Sequence, residues 1–180
     1  AGTALSAICA AVSNFFLYVI NTSSGALEAV VRWTMGSLAA ASWDTNLWML
    51  AVSVLGALFF WTQYRTLNLM LLGDEAAVTL GTDLHRWRIV YLLAASLLVG
   101  FAVYTAGIIG FVGLVIPHLV RSVVGPDHRK LVPLAALFGA IFLIWVDVGA
   151  RIIKPPAEIP VGILTAFLGA PLFLWMIKVR

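Results

Sequence analysis

Charge is scarce in this sequence. Asp, Glu, Lys and Arg together make up 11% of its 180 residues, less than half the share carried by an ordinary water-soluble domain. A solvated globular surface is therefore excluded. Cysteine occurs once, as Cys9 inside an uncharged run, so this chain alone supplies neither a disulfide framework nor a thiolate metal site. We read Cys9 as a small apolar side chain. Histidine is also sparse, and no second His, Cys or carboxylate stands at ligand spacing from His118. No metal and no cofactor is expected. The net charge of +3 comes without a basic stripe, because the Lys and Arg residues stand in small groups at the ends of apolar runs; nucleic acid is not an expected partner. There is no repeat of fixed period and no low-complexity segment.

What the sequence has is apolar length. Hydrophobic residues make up 62% of it and the mean hydropathy is +1.03. Residues 1–26 carry no charge, and 47–64 form a second uncharged stretch; about 20 such residues cross a hydrocarbon core of about 30 Å. Clear spans are read at 1–20, 47–64, 131–153 and 159–177. Residues 89–120 would make a helix of about 48 Å at 1.5 Å per residue, too long for one crossing. Gly107, Gly110, Gly113 and Pro117 place a break near 106–109, followed by a short or re-entrant segment. With that break, Arg65, Arg86, Arg88, Arg121, Arg129, Lys130, Lys178 and Arg180 share one side, against Arg32, Arg151 and Lys154 on the other. Without it the split is five against six. The bias of basic residues toward the cytoplasm selects six crossings, with both ends of the chain and the 65–88 and 122–130 loops inside. The fold class is thus all-α, a polytopic membrane helix bundle with one transmembrane domain over 1–180. Ala1 opens in mid-helix without an initiator Met, so a longer chain with further N-terminal spans is expected.

Several segments carry more specific signals. Residues 24–35 read as a short amphipathic helix on the outer surface, with Glu28 and Arg32 four apart on one face. Trp33, Trp43 and Trp48 around it are read first as interfacial anchors, with a gate as the alternative. In the first span Thr3, Ser6, Ala10 and Ser13, with Asn14 beside them, form a stripe of small and weakly polar side chains. Such a stripe suits close helix approach or the wall of a hydrated pathway. The 65–88 loop holds Leu72, Gly73, Asp74, Glu75, Ala76, Ala77, Leu80 and Gly81, a short helical stretch with acids at its start and glycine at its end. Pro117, His118 and Arg121 follow Gly113, and His118 is read as a structural hydrogen-bonding group. Asp147 in an apolar span needs a partner, since an unpaired charge there costs about 2.5 to 3.5 kcal/mol. Arg151, one turn away, is that partner, and with Lys154 it can also face an acidic docking protein.

Taken together, the run from Gly110 to Arg121, then Pro126-Asp127-His128-Arg129, Asp147-Val148-Gly149-Ala150-Arg151, and the stretch from Ala157 to Phe173 closely resemble the FecCD-type permeases. The resemblance implies a ten-span permease subunit of a bacterial ATP-binding-cassette importer, of which this chain supplies the last six spans. It implies an inner-membrane location and a metal chelate as cargo, a ferric siderophore first, haem or cobalamin otherwise. It implies as partners a second permease subunit, two cytoplasmic ATPases and a periplasmic binding protein, with ATP hydrolysed by the partner. The stretch around Glu75 to Gly81 would dock on the ATPase, the first span would border the pathway, and Arg151 would meet the binding protein. Two other classes stand beside it. An intramembrane enzyme would use His118 with Asp147, but lacks the paired-ligand helix and the second nucleophilic or acidic group. A channel would need a ring of carbonyls or acids at a constriction, and none is visible.

Overall fold

A computed structural model of the chain describes residues 2–20, 24–39, 41–73, 83–153 and 158–178. The expected docking residues Asp74, Glu75, Ala76, Ala77, Leu80 and Gly81, and Lys154, lie outside the described residues. The helices are α1 (Gly2–Ile20), α2 (Ser24–Thr34), α3 (Trp43–Thr62), α4 (Tyr64–Met70), α5 (Leu84–Ala106), α6 (Val112–Val124), α7 (His128–Ile153) and α8 (Val161–Lys178). No strand occurs among the described residues. Among the described residues four helices, α1, α3, α5 and α7, are long and apolar enough to cross a membrane. The shorter apolar helices α6 and α8 fall where the sequence places the other two embedded segments.

The break between α5 and α6 is present where the glycines put it. Gly107, at φ 72°, turns the chain out of α5 while its N–H still donates to the Val103 carbonyl at 2.9 Å. Phe111, at φ 66°, starts α6, and it packs so closely on α8 that a Cβ at Gly169 would run into it. The second span begins earlier than its apolar run suggests, because Ser42 caps α3 by accepting the Thr45 N–H.

Prolines stand inside three of the described helices without ending them, Pro117 in α6, Pro133 in α7 and Pro171 in α8. Pro117 has no N–H to give the Gly113 carbonyl, and α6 continues past it to Val124. Pro133 in α7 leaves the Arg129 carbonyl without its helical donor, and the Trp61 Nε1–H of α3 supplies one at 3.0 Å.

At the centre stands α7, packed against α3, α4, α6 and α8. Ile116, Val120 and Leu131 form one buried cluster and Val146, Ala150 and Val161 another, with Phe142 touching both. Lipid tails are as apolar as these side chains, so burial from lipid brings little hydrophobic stabilisation; close packing and interhelical hydrogen bonds must hold the helices together. Gly56 serves that need by admitting Leu98 of α5 against α3. Along α1, residues 2–19 are exposed except Leu17.

Candidate functional site

The polar chemistry collects in two junctions, one at each end of the bundle. At the end expected to face outward, three backbones meet through glycine. The Ser37 N–H donates to the Ala106 carbonyl at 2.9 Å and the Gly162 N–H to the Gly36 carbonyl at 3.4 Å. A Cβ at Gly107 would collide with the Trp33 carbonyl, and one at Gly162 with the Met35 carbonyl. The loop after α2, the α5–α6 break and the start of α8 are thereby one contact.

Beside it, Arg151 Nε donates to Asp147 Oδ2 at 2.9 Å and Nη2 to Oδ1 at 3.3 Å, the pairing the sequence implies. Its Nη1 also donates to Glu158 Oε1 at 3.0 Å, and the Ile159 N–H donates to the Ala150 carbonyl at 3.3 Å. Two carboxylates therefore face one guanidinium, and an acidic partner at Arg151 would compete with both. Glu28 and Arg32 on α2 form their own exposed pair at 2.6 Å.

On α1, Thr3, Ser6, Ala10, Ser13 and Asn14 all lie in the helix and are exposed. Their spacing keeps them within one face, and Ser6 Oγ donates to its own helix at the Gly2 carbonyl, 3.0 Å away.

The opposite end is organised around Asn68 of α4. Its Nδ2 donates to Asp127 Oδ1 at 2.7 Å, while its Oδ1 accepts the His128 N–H at 2.9 Å and lies 2.8 Å from His128 Nδ1. Asp127 in turn caps α7 by accepting the Arg129 N–H at 3.0 Å. The Asn68 amide, then the Arg129 N–H, holds the Asp127 carboxyl below its ordinary pKa. Arg129 also lies over the Tyr64 ring, 6.0 Å from its centroid. Leu71, Leu72 and Gly73, which follow α4, are exposed. His118 is half-buried on α6, while Gly113 and Arg121 are exposed. The His118 and Asp147 pair of the enzyme reading gains no support here, because Asp147 is engaged by Arg151 on α7.

Three features escape a reading of the sequence: the Asn68 junction, the second carboxylate that Glu158 brings to Arg151 and the meeting of Gly36, Gly107 and Gly162. The first and the last join segments far apart in the chain, while Glu158 stands seven residues from Arg151. Asn68 alone gives a signal, since an amide between Leu67 and Leu69 at the end of an apolar run needs a partner.

The arrangement has close counterparts. Residues 1–179 match the model of the FecCD transport family. The hemin transport system permease protein HmuU of Yersinia pestis is 44% identical over 181 residues, covering 98% of this chain and 52% of the relative. The vitamin B12 import system permease protein BtuC of Vibrio parahaemolyticus is 41% identical, again over 98% of this chain and 52% of the relative. A solved structure described as an inward-facing conformation of a metal-chelate type ABC transporter superposes with a TM-score of 0.92 at 35% identity, covering 99% of this chain and 57% of that one. This chain spans about half the length of the curated relatives it matches. With a family match running along nearly all of its length and a helix order shared with a solved transporter, the chain belongs to the FecCD transport family.

Proposed function

We propose that the chain forms part of the permease subunit of an ATP-binding-cassette importer in the bacterial inner membrane, moving a metal chelate inward. The observation that carries this reading is the family match over residues 1–179, supported by relatives named for hemin and vitamin B12 transport. A ferric siderophore, haem or cobalamin fits the family equally in chemistry, and the siderophore is our first candidate. Work comes from a partner. Two ATPase subunits act on the segment of Leu72, Gly73, Asp74, Glu75, Ala76, Ala77, Leu80 and Gly81, and the exposure of Leu72, at 65%, supports its role at the edge of a docking surface. The exposed stripe of Thr3, Ser6, Ala10, Ser13 and Asn14 borders the pathway with a second permease subunit. Arg151 and Lys154 receive the periplasmic binding protein, and Gly113, Pro117, His118 and Arg121 shape the helix nearest the inner loop.

The test is reconstitution of the full-length permease with its ATPases and binding protein in proteoliposomes, offered labelled ferric siderophores, haem and cobalamin. One class should accumulate only when ATP is present. ATP-independent entry, or no entry of any of the three, removes the reading.

A further inference from the structure

Residues 74–82 join the bundle through α4 on one side and α5 on the other. Helix α4 is seven residues long, and the helices it packs against are α3 and α7. Its link to α7 is polar and saturated. The Asn68 amide gives its N–H to Asp127 and takes the His128 N–H, so one side chain holds both the capping carboxylate and the first residue of α7. His128 Nδ1 closes the same junction, 2.8 Å from Asn68 Oδ1. Trp61, just ahead of α4, adds its bond to the Arg129 carbonyl. The first turn of α7 is thus bound to the segment that leads into the loop at successive positions. From there α7 packs against α6 through Ile116, Val120 and Leu131, and against α8 through Val146, Ala150 and Val161.

We propose that Asn68 is a positioning residue for coupling: its two-sided bond to Asp127 and His128 carries displacement of the loop into α7, and through it into α6 and α8. This rests on the proposed function, since it assumes a loop moved by a partner ATPase. A bond made only for stability would alter how much transporter assembles. A bond that transmits motion alters how much cargo moves for each ATP hydrolysed.

The experiment measures uptake per ATP hydrolysed in the full-length permease, assembled with its ATPases and binding protein. Asn68→Asp sets two carboxylates against each other and should lower the ratio by about five-fold, within the range of coupling losses seen along such networks. Adding Asp127→Asn to that variant restores a donor facing an acceptor at the same place, and the ratio should return close to that of the parent. Asn68→Ser removes the amide without adding charge and should lower the ratio in the same direction. An unchanged ratio in Asn68→Asp and Asn68→Ser overturns the proposal, and so does a swapped pair that fails to recover. Single variants that no longer assemble also overturn it, because the junction would then serve folding alone. If the parent complex moves no chelate with ATP, the proposed function itself has failed, which is a different result.

Discussion

A methyl group at Gly107 would run into the Trp33 carbonyl, and the φ of 72° there strains any L side chain. Left-handed backbone costs about 1–2 kcal/mol and overpacking about 1–3. Gly107→Ala should therefore lose about 2 to 5 kcal/mol, read as a fall in the thermal midpoint in detergent, whereas Gly100→Ala, with open space around its Cβ, should be neutral or slightly stabilising. Asp127 makes a prediction of the opposite kind, visible only through pH. Its carboxyl is held below the usual range by Asn68 and the Arg129 N–H, so it stabilises the fold above its unfolded pKa, and that contribution disappears as pH falls through the folded value. A difference in thermal midpoint between the parent and Asp127→Asn should be present at neutral pH and shrink below about pH 4, the ordinary carboxylate range. A difference that persists in acid would mean that the charge is not what matters.

Among the elements, α7 shows most directly how a local rule creates a distant bond. Pro133 deprives Arg129 of a donor, and Trp61 fills the vacancy from α3. Trp61→Phe should destabilise by about 0.5–1.5 kcal/mol, the net worth of one hydrogen bond. Pro133→Ala in the same chain should recover most of it by restoring the helical N–H, and a double variant no better than the single would refute the account. The limits of the sequence lie in the same place. Helices were legible because apolar length, glycine at 107 and charge at the ends are local signals; the four long spans, the α5–α6 break and the Asp147–Arg151 pair all follow from neighbours in the chain. Trp61 and Arg129, Asn68 and Asp127, or Gly36 and Gly162 are joined only after the helices have packed, and composition says nothing about which side chain arrives opposite which.

For the molecule as a whole, the sidedness set by its basic residues is directly measurable: reporters fused within residues 66–87 should report from the cytoplasm. Replacing Glu75 by Lys or Gly81 by Trp should let the ATPases turn over while uptake falls; full coupling in both would count against docking at that segment. At the other end, Glu158 competes for Arg151 with any incoming carboxylate. Glu158→Gln should speed association of an acidic binding protein and Arg151→Glu should slow it, by roughly 2- to 10-fold in low salt and less at high salt. Helix α7 is fastened at both tips, by Asn68 and Trp61 at its first turn and by the Arg151 and Ile159 bonds near its last. A rod tied at each tip moves only with what it is tied to. A stroke that reached one tip would therefore be felt at the other, and the two faces of the bundle would answer together.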